Sequence, residues 1–374
     1  MLELAVLWRE QNFLVDCERQ CLALLRVNAK HSESAMLLAD IHFRKQDYET
    51  ASAKFRLVLE QKPGNYLALS KLIQIFRCAG RLNDVPPFIE LAVRSNSRAM
   101  SHPGLNFCRG LHCRYSNNLP GAIRHFNLAR SDGGWGALAL INMIEIYLNP
   151  DNETRCCSVC YIIARLTLPP KSIICRWDGN LELKYYSGTA GIVVDLFKDL
   201  ETFTVSRNIA LKIEVLKAYT HLANQPRGQT EKAMKSFIGI LEREKDYLPA
   251  LLGMSTAFLF DQSTTKARNA LKRIARMPYS YALAEHFERG YLLLADIYVQ
   301  KCKFDLSEDL CSRCLKYNLS CGKAWETMGS IREKEASYKD AADMYEKVQL
   351  PEFECVFITF LIQSPDDTLK PNFC

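Results

Sequence analysis

Small and bulky apolar residues recur along this chain with a spacing of 34 residues, and polar residues fill most of the positions between them. When Ser32 is counted as position 1, positions 7, 8, 20, 24 and 27 hold Leu38, Ala39, Ala51, Phe55 and Val58. Apolar residues three or four positions apart share one face of a helix, so each unit predicts two amphipathic helices. Small residues at positions 8 and 20 let the two helices approach closely, and a bulky residue at position 24 fills the remaining gap.

The same register continues on both sides of this unit and returns far downstream. The residues at positions 8, 20 and 24 are Ala5, Cys17 and Cys21 before it, Ile73, Val85 and Ile89 after it, and Gly110, Ala122 and Phe126 in a unit counted from Pro103. Two later units, counted from Glu288 and Gly322, hold Ala295, Ser307 and Cys311, and then Gly329, Ala341 and Tyr345. This is the residue order of a tetratricopeptide repeat, in which each helix pair must stack on its neighbours to bury its apolar face. The sequence therefore predicts an all-α solenoid, a class of protein that binds other proteins.

Four segments follow from where the pattern holds and where it stops. We predict a first solenoid block at 1–148, an irregular insertion at 149–188, a second solenoid block at 189–348 and a non-repeat tail at 349–374. The helical stripe around Ile192 to Leu200 is expected to pair with the helix that ends at Leu148, across the insertion. Within the second block, Leu252 and Gly253 are read as positions 7 and 8 of a unit whose internal turn is lengthened.

Composition narrows the class of protein further. The chain has 374 residues, 48% apolar and 24% charged, which is ordinary for a folded soluble protein. Its net charge of +6, from 48 basic and 42 acidic side chains, gives little support to nucleic-acid binding. The apolar runs are shorter than the roughly 18 residues of a membrane helix, and the N-terminus lacks the features of a signal peptide. We therefore expect an intracellular protein without a transmembrane segment.

The fifteen cysteines are interpreted mainly as reduced thiols, because several occupy packing positions. Cys311 and Cys314 form a CxxC pair, but they fall at positions 24 and 27, which favours core packing. Cys157 and Cys160, with Cys156 and Cys175 nearby, form the best candidate for zinc, although no second close pair follows them. No spacing points to a catalytic, cofactor-binding or metal-binding site elsewhere, so we predict no enzyme, no cofactor and no metal.

Two surfaces are candidates for binding a protein partner. The first is the concave groove, to which positions 2, 5, 9, 12 and 13 of each first helix point in this class of repeat. The candidate residues there are Glu33, Met36, Asp40, Phe43, Arg44, Gln74 and Arg77. Apolar anchors mixed with both signs of charge suit a peptide or helix laid in a groove. A solvated inner face without a ligand is the other interpretation of the same residues.

The second candidate surface is a basic helix face opposite Ala267, Leu271 and Ile274. We predict partner-binding roles there for Lys266, Lys272, Arg273 and Arg276. Such a face can bind an acidic protein segment or an anionic lipid surface. A charged helix face is also commonly just solvated, and the sequence does not decide between these interpretations.

Several long stretches resemble one family, the tetratricopeptide repeat protein 21 family. These stretches are residues 68–74 (ALSKLIQ), 249–254 (PALLGM), 267–275 (ARNALKRIA), 291–298 (YLLLADIY) and 341–345 (AADMY). The resemblance covers both repeat blocks, whereas residues 155–187 and 349–374 do not resemble the family. Family members are much longer, and this chain is similar to their C-terminal part.

The resemblance implies a non-enzymatic scaffold of the intraflagellar transport A complex, which acts in retrograde ciliary transport, cilium assembly and delivery of cargo to cilia. It implies other subunits of that complex as partners, an indirect association with membrane cargo, and a location in the cytoplasm and cilium, including the basal body and axoneme. The alternative from the residues alone is a cytosolic adaptor that binds a short linear peptide and has no connection with cilia.

Overall fold

The computed structural model describes residues 2–11, 13–28, 31–96, 98–148, 187–204, 206–223 and 227–348. These ranges contain eighteen α-helices and no strand, which confirms the predicted all-α repeat fold. The first nine helices are α1 (Leu2–Glu10), α2 (Leu14–Val27), α3 (Ser32–Arg44), α4 (Tyr48–Gln61), α5 (Tyr66–Cys78), α6 (Pro86–Ser95), α7 (Pro103–Tyr115), α8 (Leu119–Ala129) and α9 (Gly136–Leu148). The other nine are α10 (Ser187–Leu200), α11 (Arg207–Ala223), α12 (Arg227–Arg243), α13 (Leu248–Phe260), α14 (Thr264–Arg276), α15 (Ala284–Gln300), α16 (Phe304–Tyr317), α17 (Gly322–Lys334) and α18 (Tyr338–Glu346).

Consecutive helices form pairs, and each pair packs on the next. The odd-numbered helix is the first of each pair; α9 pairs with α10, as the periodicity predicts, and α9 also packs on α11. Most of the insertion and the whole tail, with Cys156, Cys157, Cys160 and Cys175, lie outside the described residues. Within the described ranges, every helix is too short or too polar to cross a lipid bilayer.

The packing positions have the burial that the repeat pattern predicts. Ala39, Ala51 and Phe55 are almost fully buried, and Cys311 and Cys314 lie in the core as free thiols. Burial raises the pKa of the Cys311 thiol to about 12, so this residue stays protonated and unreactive near neutral pH.

Six first helices end in the same way, although the sequence pattern does not reveal it. A residue in the left-handed region follows α3, α5, α7, α13, α15 and α17; these residues are Gln46, Gly80, Asn117, Gln262, Cys302 and Ala336, with φ between 53° and 71°. In each case the next N–H donates to the carbonyl five residues earlier, as from Asp47 to His42 at 3.0 Å. This is a Schellman cap, which satisfies the free carbonyls at the end of the helix. Only one of the six residues is glycine, so the other turns adopt this conformation at a cost of about 1 kcal/mol each.

These caps correct our reading of the unit around Gly253. The turn between α13 and α14 has three residues, like the turns after α3, α7, α15 and α17, because Gln262 occupies the left-handed position seven residues after Ser255. Ser255, which is fully buried, is therefore the residue at position 8. Gly253 instead packs against Phe237 of the preceding helix pair, where a Cβ atom would lie 2.4 Å from the ring. Gly253 was assigned to position 8 because a small residue is needed in two places: at position 8, and at the contact with the preceding helix pair.

The contact between positions 8 and 24 can be tested at Gly110 in α7. A Cβ atom on Gly110 would lie 2.5 Å from the ring of Phe126, which is fully buried. In Gly110→Ala the overpacking cost of about 1–3 kcal/mol exceeds the gain in helix propensity of about 1 kcal/mol, so we expect a net loss of about 1 kcal/mol. The urea midpoint, followed by circular dichroism, measures this change.

Gly239→Ala in α12 is the matched control, because nothing lies within 4 Å of the added Cβ atom. We expect it to stabilise the protein by up to about 1 kcal/mol through helix propensity alone. If both variants shift the midpoint upwards, the close helix approach at Gly110 is wrong.

Candidate functional site

The groove residues predicted from the sequence do not form one open surface. Glu33 is exposed at the start of α3, while Asp40 pairs with Arg44 at 3.3 Å within the same helix. Arg44 also approaches the carbonyl oxygen of Arg9 in α1, at 3.4 Å. Met36 accepts a contact from the Asn65 amide at 3.2 Å. Arg44 and Met36 therefore contact neighbouring repeats, whereas Glu33 and Asp40 do not. The role of these residues in binding a partner stays a prediction.

Phe43 and Arg77 contact the second half of the same chain. Phe43 is 7% exposed, and its ring centre lies 5.3 Å from that of Tyr281. The guanidinium of Arg77 lies 2.7 Å from Glu288 in α15. Gln74, one turn earlier in α5, is partly buried. In this conformation Phe43 and Arg77 are occupied by the chain itself.

A cluster of charges, which we call the inner charge cluster, joins five first helices around Arg77; the exposed fraction of its side chains ranges from 6% at Glu288 to 35% at Glu285. Its six members are Arg77 (α5), Arg114 (α7), Glu145 (α9), Lys212 (α11), and Glu285 and Glu288 (α15). Arg114 lies 2.9 Å from Glu145 and 3.1 Å from Glu285, and Lys212 lies 2.7 Å from the other oxygen of Glu145. The hydroxyl of Tyr115 donates to Glu285 at 3.0 Å. Acids and bases thus alternate across helices that are far apart in the sequence.

The charges in this cluster stabilise one another despite their burial. Burial disfavours the ionised form of Glu285, but the nearby Arg114 and Arg77 cations outweigh it and lower the pKa of this carboxyl to about 2. For Glu145, burial is likewise outweighed by Lys212 and Arg114, which hold its pKa well below the usual range. At Glu288 burial prevails and raises the pKa, although Arg77 and Asn318 favour the charged form. Burial lowers the pKa of the adjacent His286 to about 4, so this imidazole is neutral at pH 7.

The sequence contained a signal for only part of this cluster. Arg114 occupies position 12 of the unit counted from Pro103, the same concave position as Arg77. Extending the rule for position 12 to that unit would have identified it. Glu285 and Glu288 could not be found this way, because their partners depend on how the curvature accumulates along the stack.

The basic face lies on α14, the second helix of its pair, where it is open to solvent. Lys266, Arg273 and Arg276 are exposed, and Lys272 is partly buried. Lys272, Arg273 and Arg276, together with Asn269, line an open surface depression. Arg273 pairs with Asp246 at 2.7 Å, and Lys266 lies 5.8 Å from the ring centre of Phe258. The thirteen residues of α14 include no acid, so this face carries a strong positive charge.

No group of three or more His, Cys, Asp or Glu side chains in the described ranges is arranged to hold a metal ion. The two surfaces offer charge and shape for protein contacts, and neither brings together a nucleophile and a base.

The inner charge cluster predicts a strong effect of Glu145→Gln. This change removes the carboxylate that joins Arg114 and Lys212. Arg114 keeps Glu285 and Lys212 is one-third exposed, so we expect a cost of about 2 kcal/mol, below that of breaking a fully buried ion pair. We expect a clearly lower urea midpoint. Glu90→Gln removes the same charge from an exposed pair with Arg94 and should leave the midpoint nearly unchanged. Equal effects of the two variants would contradict the burial described for Glu145.

Comparisons with known proteins place this architecture in a family. The family model described as "Tetratricopeptide repeat protein 21 C-terminal ARM domain" matches residues 194–350, and the one described as "TT21 fifth ARM repeats domain" matches residues 32–148. Tetratricopeptide repeat protein 21A of Homo sapiens is 39% identical over 345 residues, which cover 92% of this chain and 25% of that protein. Tetratricopeptide repeat protein 21B of Homo sapiens is 43% identical over 351 residues, which cover 92% of this chain and 26% of that protein.

The chain spans about a quarter of the length of these curated relatives. Among solved structures, a tetratricopeptide repeat protein from Parabacteroides merdae is similar over 79% of this chain and 97% of its own, with a TM-score of 0.46 and 12% identity. The two family models lie on the two stacks of helix pairs described above, and both human relatives match across nearly the whole chain. The chain therefore belongs to the tetratricopeptide repeat protein 21 family.

Proposed function

We propose that this chain is a non-enzymatic scaffold of the intraflagellar transport A complex, which binds other subunits through the outer surfaces of its helix pairs. Membership of the tetratricopeptide repeat protein 21 family is the observation that carries this proposal. Helical repeat proteins of this kind present extended surfaces to other proteins. In this role the chain acts in retrograde ciliary transport, cilium assembly and cargo delivery, in the cytoplasm and cilium, including the basal body and axoneme.

The geometry favours the outer surface over the concave groove as the place of binding. A linear peptide laid along the first helices would need Phe43 and Arg77, and both contact the chain's own second half. The basic face of α14, by contrast, is directed outwards and presents four of the five cations of this thirteen-residue helix. This arrangement supports a scaffold more than the alternative of a cytosolic adaptor for short peptides.

Affinity capture from ciliated cells tests the proposed partners. The tagged chain is expressed at low level, and captured proteins are quantified by mass spectrometry against the tag alone. We expect enrichment of the other subunits of the intraflagellar transport A complex. Enrichment of unrelated proteins that share a short linear motif, without those subunits, would support the adaptor and overturn the scaffold.

Charge reversal on α14 tests the surface. Lys272→Glu combined with Arg276→Glu places two acids where an acidic partner is expected, so we predict at least about tenfold weaker binding, or about 1.4 kcal/mol. Neither side chain has an acidic partner among the ion pairs of the described residues, so the fold should be retained. Binding is measured by titration with the captured subunit.

Lys232→Glu combined with Lys235→Glu is the matched control, because it makes the same charge change on the neighbouring helix α12. The control should lose much less affinity than the α14 variant. If the two variants weaken binding equally, the effect is one of overall charge and the basic face has no specific role.

A further inference from the structure

The two halves of the chain meet at a contact between residues that are more than two hundred positions apart. The loop after α16 lies against the C-terminal end of α5, where the Leu319 N–H donates to the Cys78 carbonyl at 3.0 Å. The Ser320 hydroxyl donates to the Arg77 carbonyl at 2.6 Å. The cap of α5 already supplies donors to the Phe76 and Arg77 carbonyls, so Leu319 provides the donor for the Cys78 carbonyl, and Ser320 adds a further hydrogen bond to the Arg77 carbonyl.

Side chains extend the contact on both sides of these backbone bonds. Arg77 pairs with Glu288 at 2.7 Å, and the buried Asn318 amide donates to the same carboxyl at 3.1 Å. The Tyr48 hydroxyl donates to the Tyr317 carbonyl at 3.0 Å. Hydrogen bonds to ionised partners are stronger than neutral ones, so Arg77 and Glu288 lie at the strongest part of the contact.

An aromatic layer covers the other side of the same contact. The rings of Tyr279 and Tyr317 stack with centres 3.6 Å apart, and Tyr281 packs between Tyr279 and Phe43, with ring centres 5.2 Å and 5.3 Å away. Rings in such contact gain attraction beyond the area that they bury. Polar and aromatic contacts thus act together at one place.

We propose that these contacts form an intramolecular clasp, in which residues 279–288 and 317–320 hold α3, α4, α5 and α7 and close the superhelix on itself. The inner surface that carries Arg77 and Arg114 is occupied by α15 of the same chain, whose Glu288 and Glu285 pair with these arginines. A partner that binds this inner surface must displace an acidic helix, so the clasp directs recognition to the outside while it is shut. This proposal is independent of which complex the chain joins.

Gly80 gives a direct test of closure. A Cβ atom built on Gly80 would lie 3.9 Å from the Cβ atom of Leu319, within the usual Cβ separation of a disulfide. Gly80 has a φ of +71°, and Cys302 occupies the equivalent position of another unit with a φ of 53°, so cysteine is compatible with this turn. The double variant Gly80→Cys with Leu319→Cys is oxidised as the full chain, and the links are mapped by mass spectrometry of peptides.

We expect an intramolecular link between positions 80 and 319 in monomeric protein. Gly64→Cys with Leu319→Cys is the matched control and should give no such link, because nothing lies within 4 Å of a Cβ atom on Gly64. The parent chain, oxidised in parallel, identifies links among the native cysteines. A folded double variant without the link between 80 and 319, or with that link only between two chains, would overturn the clasp.

A native thiol provides a second measurement that does not depend on new cysteines. Cys78 is 5% exposed and lies at the clasp, whereas Cys108 is fully buried in the stack of α5 and α7. Arg77→Glu places an acid against Glu288 and should open the clasp, so we expect alkylation of Cys78 to become at least about tenfold faster relative to Cys108. The swap Arg77→Glu with Glu288→Arg should return the ratio towards the parent value. An unchanged ratio in Arg77→Glu, or a swap that behaves like the single variant, would contradict the proposal.

Discussion

The close approach of two helices at positions 8 and 24 is the interaction on which the rest of this structure depends. At Gly110 and Gly329 the second helix comes so near that a methyl group would overlap Phe126 and Tyr345, respectively. Such contacts fix the distance and angle within a pair, and the apolar side chains at the other packing positions transmit that geometry to the next pair. Since each pair turns slightly relative to the last, the sum of these small rotations decides where the far end of the stack lies.

In this chain the accumulated rotation brings α15 against α5 and α7. The inner face is then partly withdrawn from solvent, and the three basic and three acidic side chains of the inner charge cluster lie next to one another. Buried charges are tolerated only when they are paired, so the cluster constrains the relative position of five helices. The outer face has no such constraint and can keep an excess of one charge, as α14 does. The inner and outer faces of the same solenoid therefore differ in charge: the inner face pairs its charges, and the outer face at α14 is basic.

Much of this architecture could be predicted from the spacing of small and large residues. The pairing of helices, the burial of Ala39 and Phe55 and the packing role of Cys311 and Cys314 all follow from local periodicity, and the structure confirms them. Gly253 was misassigned because a small residue also permits contact with the preceding pair. The partners of Phe43 and Arg77 could not be predicted, because they depend on the curvature of several successive pairs and no local pattern records it. The sequence identifies the groove and the basic face as candidate binding surfaces, and their binding of partners stays a prediction.

A repeat protein whose units contact only their neighbours folds in a largely one-dimensional way, and its contacts are local in sequence. The pairing of Arg77 with Glu288 breaks that rule, because 211 positions separate the two residues. Bringing two such distant residues together costs loop-closure entropy before their contact can form, and this cost slows folding. The last steps of folding are then cooperative. We therefore consider the two halves to be kinetically linked. Each half can form part of its stack early, but the contact between α5 and α15 forms only after both halves have stacked.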